Sequence, residues 1–156
     1  MGRIAPGNLV SVLFGLFLVA VAVRDEPGTL AWVTRHLAKW HLNLKGFVVD
    51  PAGMQLLVTD IHTLAIALGE MGLIYRVTEV REVVLDDRAG ALAEVAERLA
   101  DEGINICTAF GLATGAAARI YLDVQDIERA APILEAFNKG RSLVHGQLGR
   151  IGPITR

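Results

Sequence analysis

Cysteine and lysine are scarce, and no block of like charge occurs anywhere in the 156 residues. A lone Cys107 makes no internal disulfide and supplies no cysteine-rich metal site, which fits a reducing compartment. The 15 Lys plus Arg stand against 17 Asp plus Glu for a formal charge of -2, so nothing steers the chain toward nucleic acid or an anionic membrane. The longest uncharged apolar run, Leu9 to Val23, falls short of the roughly 18 to 20 residues that a spanning helix needs. Catalytic signatures are missing too: there is no G-x-S-x-G, P-loop, G-x-G-x-x-G or H-E-x-x-H pattern. His36, His41, His62 and His145 are scattered, and the first two are five apart, on different faces of a helix, so they form no i, i+4 metal pair. Cys107 has no basic neighbour in sequence and reads as a packed thiol, while Asp86-Asp87 reads as solvated or capping acid.

What is abundant is apolar: 53% of residues are hydrophobic and 21% charged, enough to bury a core in one medium domain or two small ones. The run LVSVLFGLFLVAVAV has two readings. Arg3 precedes it and Ala20-Val21-Ala22 has the small-x-small form of a secretory cleavage site. Its Val, Leu and Phe content, with Gly15 to weaken a helix, equally describes a buried strand.

An internal repeat decides between them. Shifting the sequence by 62 residues lays the segment from Val21 over that from Val83, so that Asp25/Asp87, Gly28/Gly90, Leu30/Leu92, Ala31/Ala93, Val33/Val95, Leu37/Leu99, Ala38/Ala100 and Asn43/Asn105 coincide. After a one-residue gap Asp60 lies over Asp123 and Ile61 over Val124. In the first copy the apolar run to Val23 is a strand, Asp25 to Gly28 a tight turn, and Thr29 to Trp40 a helix with Leu30, Val33, Leu37 and Trp40 inward. Leu42 to Val49 and Met54 to Thr59 make a hairpin about Asp50-Pro51-Ala52-Gly53. Asp60 to Met71 is a second helix closed by Gly72, and Leu73 to Thr78 a fourth strand.

The second copy follows the same order: strand Val80 to Leu85, a helix marked by Leu92, Val95 and Leu99 before Gly103, and a hairpin of Ile104 to Phe110 with Arg119 to Val124 about Ala113-Thr114-Gly115. A helix from Asp126 to Phe137, delayed or kinked by Pro132, and a closing strand from Arg141 to Gln147 complete it. Cleavage after Ala22 would delete the first strand of the first copy, so the strand reading prevails and a cytoplasmic protein is expected. The run is apolar at successive positions, so both of its faces are expected to be covered, with a second sheet or subunit against the face without helices.

Two βαββαβ copies carrying Asp25-Glu26-Pro27-Gly28-Thr29-Leu30 with His41-Leu42-Asn43-Leu44, then Asp87-Arg88-Ala89-Gly90-Ala91-Leu92 with Gly103-Ile104-Asn105-Ile106, resemble the ACT domain, a small amino-acid-sensing module. The arrangement is similar to stand-alone bacterial tandem-ACT proteins. The resemblance implies an α+β fold of two ferredoxin-like βαββαβ domains with antiparallel four-stranded sheets, at residues 11–78 and 79–147, with 1–10 and 148–156 as terminal extensions. It also implies a ligand held between paired domains by Asp25 to Leu30 with Asn43 and Leu44, and by Asp87 to Leu92 with Asn105 and Ile106.

The physics of those residue types suits the role. A helix N-terminus after a glycine turn offers free N–H groups and a favourable dipole to a carboxylate. An asparagine both donates and accepts, and an aspartate offsets an ammonium charge. Each residue also has a purely architectural reading: Asp25 and Asp87 as helix caps, Gly28 and Gly90 as turn residues, Asn43 and Asn105 as junction residues, Leu30 and Leu92 as core. The copies differ from the family pattern, with Ala89 in place of proline, His41 in place of glycine, and Arg88 where the first copy has Glu26. The expectation is a non-catalytic regulatory or sensor protein, a homo-oligomer, with no cofactor, metal, nucleic-acid or membrane partner. A ligand-free ACT protein that docks on an enzyme is the alternative, and a small ferredoxin-like enzyme using Asp87, Cys107 or a histidine is a third reading without a visible constellation.

Overall fold

The computed structural model describes residues 15–148, with side chains to 138; the sequence expectations for residues 9–14 and for the tail beyond 148 lie outside the described residues. The chain divides into two units, Met1–Val80 and Arg81–Arg156.

In the first unit β1 (Leu16–Val21) is followed by α1 (Thr29–Lys39), the hairpin β2 (Gly46–Asp50) and β3 (Gly53–Val58), α2 (Ile61–Glu70), and the first half of β4 (Tyr75–Asp86). All pairs are antiparallel: β3 lies between β2 and β1, and β1 between β3 and β4. Alternate residues make the core. Phe17, Val19 and Val21 of β1 and Met54, Leu56 and Val58 of β3 meet Val33 and Leu37 of α1 and Leu64, Ala67 and Leu68 of α2. Each fully buried Val or Leu of this set contributes about 1.5–3 kcal/mol relative to exposure. On the other face of β1, Leu18, paired with Leu57, is also buried, while Leu16 and Ala20 are half-buried.

The second unit takes the other half of β4, then α3 (Ala91–Asp101), the hairpin β5 (Ile106–Thr114) and β6 (Ala117–Val124), and α4 (Ile127–Leu148). Val83, Leu85, Leu122 and Val124 of the strands pack on Val95 and Leu99 of α3 and on Ala130 and Leu134 of α4. The α+β class holds, but the strand order is β2-β3-β1-β4-β6-β5, six antiparallel strands among the described residues in place of two sets of four.

Two departures produce that count. The strands expected at Leu73–Thr78 and Val80–Leu85 are one twelve-residue strand, because YRVTEVREVVLD contains no glycine or proline to break it. The strand expected at Arg141–Gln147 is helical, the continuation of α4. The amide of Asn138 explains what replaces it: Oδ1 accepts from Val84 N at 2.8 Å and Nδ2 donates to Glu82 O at 3.2 Å. One side chain thus satisfies two β4 backbone groups that a neighbouring strand would otherwise meet. Pro132 does not delay the helix, which starts five residues before it with Asp126 accepting from Arg129 N at 3.1 Å.

Candidate ligand-binding turns

Each unit runs from a strand through a tight turn into a helix, and the two turns match. Thr29 N donates to Glu26 O at 3.2 Å in the first and Ala91 N to Arg88 O at 3.3 Å in the second. The N-caps are Gly28 and Gly90, at φ 95° and 88°, a left-handed backbone that favours glycine. Asp25 and Asp87 are exposed and cap neither helix, which corrects the capping alternative for these residues. Thr29 N and Ala91 N are taken by those turn bonds, and with no side-chain cap the remaining N–H groups of the first turn stay available to a ligand acceptor, beside the positive end of the dipole. No side chain crowds the approach, since a Cβ built on either glycine meets nothing within 4 Å.

Leu30 and Leu92 are not core residues. They are 41% and 47% exposed, because the buried stripe of α1 is Val33 and Leu37 and that of α3 is Ala91, Val95 and Leu99. Each leucine therefore borders its turn with open apolar surface. Thr29 is half-buried and Ala91 buried, whereas Glu26, Pro27, Arg88 and Ala89 are exposed.

The turns differ in charge. Arg88 donates to Glu94 Oε2 at 2.7 Å, tying the second turn to the first turn of α3. That hydrogen bond holds the Glu94 carboxyl below, and the Arg88 guanidinium above, its ordinary range. The same positions 62 residues earlier are Glu26 and Trp32, which carry no such tie. Trp32 is 52% exposed, and its place off the Val33/Leu37 stripe was readable from helical periodicity alone.

The asparagines lie away from the turns. Val21, at the end of β1, is level through Met54 with Val49, at the end of β2, so the β1–α1 turn sits at the end of the sheet where β2 finishes. Asn43 precedes β2, beyond the C-terminus of an eleven-residue α1 that spans about 16 Å. In the second unit Asp86 is level with Ala117 and Thr114, and Asn105 stands at the other end, just before Ile106. Both asparagines are exposed; Asn105 O accepts from Gln125 N at 2.9 Å, its Nδ2 reaches Cys107 Sγ at 4.0 Å, and the Asn43 side chain has no hydrogen bond among the described residues. Leu44 and Ile106 pack against their cores. The residues grouped by sequence motif therefore fall at opposite ends of each unit.

No family model matches the chain, and no curated protein matches it in sequence. Solved structures do match in fold. A Bacteroides thetaiotaomicron protein aligns with TM-score 0.68 at 23% identity over 80% of this chain and 88% of that one. The regulatory subunits of aspartate kinase from Thermus flavus and Thermus thermophilus align with TM-scores 0.55 and 0.56, at 21% and 20% identity, over 81% of this chain and 92% and 91% of theirs. The likeness is one of fold. It bears on the α+β architecture and on nothing further. Among the described residues no group of three His, Cys, Asp or Glu is placed to hold a metal, and no helix is long and apolar enough to cross a membrane.

Proposed function

We propose that this chain is a stand-alone tandem-ACT regulatory protein of the cytoplasm, non-catalytic and homo-oligomeric, that binds an amino acid or similar small ligand where two such domains pair. One observation carries the reading. Two uncapped helix N-termini follow left-handed glycines and are bordered by exposed Leu30 and Leu92, while the asparagines with which they would share a ligand stand at the far end of each unit. A turn from one domain and an asparagine from another complete a site only on pairing. The ligand then stabilises the paired state by its differential affinity for it, and assembly and binding are linked reciprocally. The first turn, free of the Arg88–Glu94 tie, is the more open of the two, and Asp25 and Glu26 beside it suit an ammonium group.

The Arg88–Glu94 tie favours a second reading, in which the turns have become structural and the protein docks on a partner enzyme without a ligand. Thermal unfolding of the full chain with each common amino acid at millimolar concentration separates the two. Ligand binding to the native state alone raises stability by about 2.7 kcal/mol at a hundredfold excess over Kd. A selective rise in Tm that disappears in Gly28→Val/Asn43→Ala is the expected result. A flat response across the panel refutes ligand binding and leaves the docking protein.

A further inference from the structure

The seams between paired helices are built differently in the two units. In the first, Glu70 Oε2 of α2 accepts from Trp40 Nε1 at 3.1 Å and lies 3.2 Å from His36 Nε2 of α1, bridging the helices. Counted from the matching aspartate caps, Asp60 and Asp126, the place of Glu70 falls to Ala136 in the second unit. The α3–α4 seam is tied instead at its end, where Arg129 Nη2 donates to Glu102 O at the cap of α3 at 2.7 Å, and beside it opens a groove of about 760 Å³. Its α4 wall is apolar, with Ile133 and Phe137; its α3 wall carries three acids, Glu94, Glu97 and Asp101, and one cation, Arg98.

The corresponding face of α1 has the opposite sign. Arg35 stands where α3 has Glu97, Lys39 where it has Asp101, and the exposed Trp32 where it has Glu94. Trp32, Arg35 and Lys39 are spaced i, i+3 and i+7, so they share one face, and all three are exposed. Arg35, Lys39, Glu97 and Asp101 have no ion-pair partner among the described residues.

We propose that the α3–α4 groove of one copy receives α1 of a second copy, with Trp32 against Ile133 and Phe137, and Arg35 and Lys39 against Glu97 and Asp101. The occupant follows from the charges. One chain carries both halves of a complementary pair at equivalent positions of two similar helices, so a second copy offers the matching surface, whereas α1 on α1 or α3 on α3 opposes like charges. A large, rigid aromatic with flanking cations is also the side-chain set that anchors interfaces. The inference rests on the self-association proposed above and involves none of the ligand turns.

Sedimentation equilibrium of the full chain at low and high salt tests it, with circular dichroism to verify that each variant is folded. Association is expected to weaken with salt. Glu97→Lys/Asp101→Lys and Arg35→Glu/Lys39→Glu should each raise Kd roughly tenfold or more, and the fourfold reversal should restore it to within about threefold of the native value. Native association with unchanged Kd in both double variants, or a fourfold variant as weak as the doubles, overturns this surface and leaves the homo-oligomer standing. A native chain that is monomeric at every concentration overturns both.

Discussion

His41 is the one described residue other than glycine with positive φ, at 52°. It follows the cap of α1, where His41 N donates to Ala38 O at 3.1 Å and Leu42 N to Leu37 O at 3.3 Å. These are the paired reverse bonds of a Schellman ending, whose C′ position calls for a left-handed residue. In the second unit Gly103 holds that position at φ 68°, and the same bonds are shorter, 2.8 Å from Gly103 N to Ala100 O and 2.9 Å from Ile104 N to Leu99 O. A side chain in this conformation costs about 1–2 kcal/mol, toward the lower end for histidine, which tolerates it better than most. Glycine gives back about 0.4–1 kcal/mol through the entropy of the unfolded chain. His41→Gly should therefore stabilise by about 0.5–1 kcal/mol, and Gly103→His should destabilise by a similar amount. The His41 side chain is exposed and has no hydrogen bond to lose among the described residues, so the backbone effect stands alone. Scanning calorimetry would show a rise of about 2–4 °C per kcal/mol if all 156 residues unfold together, and about 4–8 °C per kcal/mol if the units melt separately. A His41→Gly chain that melts below the native protein refutes the reasoning.

Two other perturbations probe the frame. Asp60 caps α2 by accepting from Thr63 N at 3.0 Å, and the Thr63 hydroxyl together with that N–H holds its carboxyl below the ordinary range. Asp60→Ala should cost about 1 kcal/mol at neutral pH. With the folded pKa depressed, the contribution is present above the unfolded pKa and fades as pH falls through the folded one, so native and Asp60→Ala urea midpoints should converge in acid; a constant gap would contradict the cap. Asn138→Leu strands Val84 N and Glu82 O, and should cost about 1–3 kcal/mol by urea denaturation and speed hydrogen exchange at Val84; unchanged exchange would show that the amide is not what protects that edge.

Much of the frame was legible because it is written locally. The Val33/Leu37 and Val95/Leu99 stripes, the hairpin turn at Asp50 to Gly53 and the glycine after α2 each act within a few residues, and the structure realises all of them. Errors arose where a distant contact outweighed a local pattern. Leu30 and Leu92 keep helical spacing with the inward stripes, yet each lies to the side of its stripe: in α3 it is Ala91, four residues before Val95, that is buried, and Leu92 beside it is exposed. The segment Arg141–Gln147 has a composition compatible with a strand, and the repeat placed one there. Asn138, 54 residues from Val84 and 56 from Glu82, meets the β4 backbone that such a strand would have paired, and helix propagation then meets no competitor.

How the candidate residues are distributed was less legible than the frame. Asp25 to Leu30 and Asn43 are close in sequence, and a motif invites the inference that its members meet. Here α1 itself separates them: the turn opens the helix, the asparagine follows its end, and the antiparallel register of β1, β3 and β2 puts them at opposite ends of the sheet. Helix length and strand register thus forbid, within one unit, the site that the sequence pattern describes. If these residues share a ligand, each contributes half a site, and the other half comes with the partner domain. Occupancy and pairing are then one equilibrium, so a substitution that blocks pairing without touching either motif should weaken ligand binding by the same factor by which ligand strengthens pairing. An affinity for ligand that is independent of protein association would refute the shared site even if a ligand is found.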